Sequence, residues 1–215
     1  MKIRRRPGQR HNPLRISPGR AAFSAFSLFS LILTHLSPGP WLPGVLASER
    51  GRDKADWILL AGYGTSHPGM GATKLRIQTV DLVPRYERNL TANPGSSWYR
   101  GEHSLLLELP LHLAVSPDST LMAGINFLAC WRFTAHDRLQ PYLLAGGGPL
   151  YMASNLEGMG TRLNGNYQFG IGLRRPMGHH RYLNLEYRFH HVSNGNRKEP
   201  NDPLNSSKFL LGVTF

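Results

Sequence analysis

The sequence predicts an all-β protein, an eight-stranded antiparallel transmembrane β-barrel, and three observations carry that reading. From residue 55 onward, apolar residues recur at every second position through most segments. The positions between them hold Asn, Gln, Glu, Arg and Gly, the residue types of a small polar lumen. Glycine (23) and proline (16) punctuate these runs too often for a helical bundle. A chain of 215 residues is long enough for one such barrel.

Eight segments are predicted as strands, at about 56–64, 74–87, 98–114, 120–133, 141–151, 161–174, 181–193 and 205–215. Asp81 interrupts the apolar pattern of the second. In the third, Leu105, Leu107, Leu109, Leu111 and Leu113 share a face, opposite Ser104, Glu108 and His112. In the fourth, Ile125, Phe127, Ala129, Trp131 and Phe133 oppose Asn126, Cys130 and Arg132. The sixth alternates Leu163, Tyr167, Phe169, Ile171 and Leu173 with Asn164, Asn166, Gln168 and Arg174. The seventh sets Leu183, Leu185, Tyr187, Phe189, His191 and Ser193 against Asn184, Glu186, Arg188 and His190. The last aligns Asn205, Ser207, Phe209, Leu211, Val213 and Phe215.

Alternation alone leaves two architectures open. A soluble sandwich or lipid-binding barrel turns its apolar face inward; a membrane barrel turns it to lipid. The segments approach the roughly 9–11 residues that a tilted membrane strand needs. The terminal aromatic Phe215, closing an alternating strand, resembles the signal by which bacterial outer-membrane proteins engage their barrel-assembly machinery. In lipid the sheet must close, because an open edge leaves backbone groups unpaired.

Residues 1–47 read as a signal peptide. A basic stretch ending at Arg20 precedes the apolar "AAFSAFSLFSLILTHL" and a Pro/Gly-rich segment, with small Val45 and Ala47 placing cleavage after Ala47. The apolar run is shorter than the roughly 20 residues of a spanning helix. The mature region is then 48–215, exported to the Gram-negative outer membrane. The leader also accounts for much of the net charge of +12. Seven of the 25 Lys/Arg and none of the 13 acids fall in it, leaving 18 against 13 and a net of +5. No nucleic-acid-binding motif accompanies that charge. Cys130 stands alone, excluding an internal disulfide and reading as a small structural residue.

Polar residues at the end of the lipid-facing row of the seventh segment draw attention. His191 and Ser193, spaced i, i+2, project to the same side of one strand, where an imidazole can reach a serine hydroxyl as a general base. Asn205 shares that outward parity on the next strand, and the intervening hairpin brings it alongside. With both termini on the periplasmic side, the three sit at the level of the outer leaflet. His190 faces the interior. Glu108, Glu186, Arg132, Arg174 and Arg188 form an expected internal ion-pair network, and Trp98 and Trp131 read as an interfacial girdle or as lipid-facing anchors. Arg100, Arg197 and Lys198 are candidates for contact with lipid phosphates or for plain solvated charge.

The stretch "HVSNGNRKEPNDPLN" resembles the C-terminal signature of PagL-type lipid A 3-O-deacylases (acyloxyacyl hydrolases), outer-membrane barrel esterases. Their pattern runs His-x-Ser-Asn, then Pro-Asn, then Glu or Asn twelve residues after the serine. The resemblance implies Ser193 as nucleophile, His191 as general base and Asn205 as third member. It implies backbone N–H groups near Asn194 and Asn196 for the oxyanion, lipid A of lipopolysaccharide as substrate, and neither metal nor cofactor. Two residues depart from the pattern. Asn205 stands where characterised members carry Glu, and a neutral amide orients the ring without stabilising imidazolium as a carboxylate does. Glu199 and Asp202 are the reserve acids. Asn196 stands where Gly is usual, although Asn tolerates left-handed backbone. The alternative function is a catalytically silent structural or adhesive barrel whose signature has decayed at Asn205.

Overall fold

The computed structural model describes residues 55–91, 94–178 and 181–215. The predicted leader and its cleavage after Ala47 lie outside the described residues. The described chain is built from ten strands: β1 (Ala55–Ser66), β2 (Gln78–Thr91), β3 (Gly101–Glu108), β4 (Leu111–Ser116), β5 (Thr120–Gly124), β6 (Asn126–Phe133), β7 (Gln140–Met152), β8 (Leu163–Gly178), β9 (Arg181–Ser193) and β10 (Leu204–Thr214). All pairings are antiparallel. β1 pairs with both β2 and β10, so the sheet closes into a ring.

The ring has eight staves. β3 and β4 are halves of one stave, both pairing with β2, and β5 with β6 are halves of the next, both pairing with β7. The breaks are physical. Pro110 has no N–H to give the ladder, and the second stave is interrupted at Ile125 beside it. Bonds from Leu109 N to Pro84 O (3.0 Å), Gly124 N to Pro110 O (3.1 Å) and Ile125 N to Pro149 O (3.2 Å) carry the pairing across. The predicted 98–114 and 120–133 segments are therefore interrupted staves, and the predicted strand 74–87 begins at Gln78. Residues 74–77 belong to the β1–β2 loop, where Ser66 Oγ donates to Leu75 O and accepts from Ile77 N.

Side-chain direction decides between the two architectures. Ile171 and Phe209 are each 58 % exposed, whereas Arg188 and Glu186, on the opposite face, are each 1 % exposed. A soluble barrel would reverse this, so the exposed apolar wall is the lipid-contacting surface of a transmembrane barrel.

The lumen is filled in layers. Arg85 and Arg188 bind Glu108 and Glu186 at the centre, with Arg85–Glu108 at 2.8 Å, Arg85–Glu186 at 2.7 Å and Arg188–Glu108 at 2.9 Å. Arg188 also pairs with Glu186, which accepts the Tyr142 hydroxyl at 2.6 Å. Toward one end, Glu87 receives Arg132 and Arg174, both at 2.8 Å. Toward the other, Asp81 holds Lys208 and His112, both at 2.8 Å. Asp81 thus breaks the apolar pattern because it points inward. The expected ion-pair network is present, enlarged by Arg85 and Glu87. Beyond Asp81 an apolar plug that includes Met122, Leu150, Met152, Val192 and Leu204, capped by Leu156 and Met159, fills the end of the barrel below the 153–162 and 194–203 loops.

The opposite end carries both ends of the described barrel, joined by Trp57 N to Phe215 O and Phe215 N to Trp57 O. Its aromatic belt includes Trp57 on Tyr86 and Trp98 and Trp131 on Phe133. Arg100 lies at this same end, donating to Thr134 O, and is removed from the 194–203 loop that holds Arg197 and Lys198.

The central network sets a stability prediction. Glu186→Ala leaves Arg85 and Arg188 short of a buried counter-charge and should destabilise the barrel by about 3–5 kcal/mol. The thermal midpoint at which the compact, fast-migrating form is lost on SDS gels measures this.

Candidate active site

β9 and β10 deliver His191, Ser193 and Asn205 to the outer wall at the end closed by the apolar plug. The register sets Asn205 directly across from His191. His191 Nδ1 lies 2.7 Å from Asn205 Oδ1. The amide oxygen only accepts, so Nδ1 carries the proton and Nε2 is left with its lone pair. On its other flank, His191 faces Tyr167 of β8, and the two rings stack at 4.5 Å with an interplanar angle of 22°. The imidazole is held at Nδ1 and across one face.

Ser193 is half-buried two residues further along the same outward row. Its hydroxyl makes no hydrogen bond among the described residues and is not bonded to His191. Opposite it in the register is Gly165. A β-carbon built there would meet only Ser193 O, at 3.8 Å. The wall is therefore open next to Ser193, where a neighbouring side chain would otherwise stand.

The third residue is held from a direction not apparent in the sequence. Asn205 is 8 % exposed, and the β1–β2 loop covers it. Its Nδ2 donates to Met70 O at 2.8 Å and to Thr73 Oγ1 at 2.9 Å. Its backbone N–H donates to Thr73 Oγ1 at 3.0 Å, and its carbonyl accepts from His67 N at 2.9 Å. Beneath it, Ser207 is within hydrogen-bonding distance of His67 Nε2 (2.8 Å) and the Tyr187 hydroxyl (2.9 Å).

The 194–203 loop is organised by Asn194. Its Nδ2 donates to Lys198 O at 2.7 Å, and its N–H to Asn201 Oδ1 at 3.0 Å. The Asn194 N–H is thus committed within the loop. Gly195 (φ 65°) and Asn196 (φ 60°) follow in left-handed backbone, and their N–H groups have no partner among the described residues. Asn196 does adopt the conformation that Gly would take there. Neither reserve acid reaches His191. Asp202 pairs with Lys74 at 2.8 Å, Glu199 is exposed, and Nδ1 is occupied by Asn205. Arg197 is bonded to Asn194 O and Leu163 O. His190 is buried in the lumen, with Nε2 at 3.2 Å from Asn166 Oδ1.

A profile of the family described as lipid A 3-O-deacylase (PagL) matches residues 83–214, more than half of the chain. The chain belongs to the lipid A 3-O-deacylase family. Two solved structures share the fold. A crystal structure of the outer membrane enzyme PagL aligns with TM-score 0.51 at 16 % identity, over 74 % of this chain and 98 % of that one. A crystal structure of Neisserial surface protein A aligns with TM-score 0.54 at 13 % identity, over 74 % and 95 %. No curated protein sequence matches the chain. The family match spans the whole of the His191–Asn205 stretch but begins after the β1–β2 loop, so the loop that grips Asn205 lies outside the segment this chain shares with the deacylase profile.

Tyr167 and Gly165 were not legible in the sequence. The β8–β9 register shifts by one residue between Pro176 and Gly178, and that shift sets Tyr167 beside His191 and Gly165 beside Ser193. Thr73 and Met70 carry no sequence signal either. Gly165→Leu should leave the barrel folded yet fill the opening, slowing Ser193 labelling by a fluorophosphonate about tenfold through misplacement of the approaching group. Comparing labelling rates with Gly165→Ala, whose side chain leaves the opening, checks this.

Proposed function

We propose that this chain is a serine esterase of the outer membrane that hydrolyses the ester-linked 3-hydroxyacyl chain at position 3 of lipid A. The observation that carries the reading is the His191–Asn205 hydrogen bond on the lipid-facing wall, in the same outward row as Ser193. Membership of the deacylase family supplies the substrate class. In this reading residues 1–47 are the export signal, Phe215 engages the barrel-assembly machinery, and the 194–203 loop faces the cell exterior.

The chemistry follows from the proton positions. Asn205 Oδ1 keeps the His191 proton on Nδ1, so Nε2 takes the proton of Ser193 as Oγ attacks the ester carbonyl carbon. Charge developing on the carbonyl oxygen is received by the unpaired N–H groups of Gly195 and Asn196. Collapse breaks the bond to the sugar oxygen, which takes the proton from His191 Nε2–H. Water, deprotonated by the same nitrogen, then cleaves the acyl-serine and releases a 3-hydroxy fatty acid. The imidazolium formed in each half-reaction faces an amide oxygen, so its stabilisation is dipolar.

A silent structural or adhesive barrel is the second reading. The neutral Asn205 and the unmade His191–Ser193 bond favour it. Lipid A from a Gram-negative host expressing the chain separates the two by mass spectrometry. The esterase reading expects loss of one 3-hydroxyacyl mass, and Ser193→Ala should lower turnover by roughly 10³-fold or more. Unchanged lipid A with folded protein in the outer membrane would favour the silent barrel.

A further inference from the structure

The β1–β2 loop is closed by its own bonds and, in addition, grips Asn205. Its base is pinned by Ser66 N to Ile77 O (2.9 Å) and by the two bonds of Ser66 Oγ. Its turn is closed internally by Gly69 N to Thr73 O (2.9 Å) and Met70 N to His67 O (3.0 Å). Lys74 ties it to Asp202. On this pre-shaped loop, Met70 O and Thr73 Oγ1 converge on a single amide nitrogen. Thr73 is 3 % exposed, so neither bond is exchanged readily with water.

This arrangement determines which end of the side chain faces His191. A carbonyl oxygen accepts and cannot donate, so only N–H can face Met70 O. With Nδ2 committed there, Oδ1 is turned to His191 and selects the Nδ1–H tautomer. A carboxylate at position 205 would set an anionic oxygen against the Met70 carbonyl, where Nδ2 now sits at 2.8 Å. The cradle therefore fits an amide and disfavours an ionised acid.

We propose that Thr73 and the Met70 carbonyl are positioning groups of the active site, locking the Asn205 amide and through it the His191 tautomer, so that the loop makes Asn205 the working third member. This rests on the esterase reading for its catalytic meaning, but the tautomer is measurable without turnover.

The test uses the full folded chain in detergent micelles, with ¹⁵N-labelled histidine and His191 assigned by a His191→Gln variant. The wild type should show His191 protonated at Nδ1 and bare at Nε2 at pH 8. Thr73→Val should mix the tautomers, and Thr73→Ser should preserve the wild-type signal. On lipid A in mixed micelles, Thr73→Val should lower kcat by about tenfold or more with KM within about twofold, and Thr73→Ser should retain most of the rate. Asn205→Asp, isosteric with the native side chain, should also lower kcat. A wild-type His191 protonated at Nε2 overturns the proposal before any variant is made. So does an unchanged tautomer and kcat in Thr73→Val, or an Asn205→Asp enzyme faster than wild type. Absence of ester cleavage by the wild type sinks the esterase reading alone, since the tautomer comparison still decides the loop's role.

Discussion

The pairing of β1 with β10 closes the backbone hydrogen-bond ring, and the remaining features follow from that closure. Hydrocarbon offers no partner to an unpaired N–H or C=O, so a sheet in lipid is stable only without an edge. Closure fixes two faces with no exchange between them. Every residue is committed by parity either to the lumen, where Arg85, Glu108, Glu186 and Arg188 satisfy one another, or to the wall, where Phe169, Ile171 and Phe209 meet lipid. Even the Pro110 break is bridged by irregular backbone bonds. Within this constraint His191, Ser193 and Asn205, with Ser207 beneath, are polar residues on the apolar side, and they are accommodated because they stand at its rim and are partly covered.

That parity is why so much was legible in the sequence. Period-two alternation gave the strands, the polar lumen gave the ion pairs, and the outward rows of β9 and β10 placed His191, Ser193 and Asn205 on one wall. The limits were equally physical. Alternation reports which face a residue takes, not which residue lies across from it, so Tyr167 and Gly165 emerged only with the register. It also carries on past a strand's end, so residues 74–77 read as strand when they are loop. The grip of Thr73 and Met70 on Asn205 joins residues more than 130 positions apart through loop backbone, and no local pattern encodes it. Asp81 shows the opposite case. A charge that looked like a defect in one strand became intelligible once Lys208 and His112 were found beside it.

The two departures from the deacylase pattern have different weights. Asn196 takes up left-handed backbone as a glycine would, and its loop keeps its shape through Asn194 and Asn201. Asn205 changes the electrostatics of the site, exchanging a formal charge for a dipole. The surroundings have the matching character: an amide needs acceptors on one side and a donor on the other, and the loop and His191 supply them.

The apolar plug, together with the outward placement of the site, bears on how any ligand arrives. Among the described residues the lumen is filled by side chains, and Ser193 lies on the outer wall, so in the proposed function its ligand would arrive sideways, from within the leaflet. A site of this kind responds to the mole fraction of its ligand among neighbouring lipids and not to a bulk molarity. Dilution by other lipids then acts as competition, and in the proposed esterase a released fatty acid would stay in the same two-dimensional phase until it diffuses away.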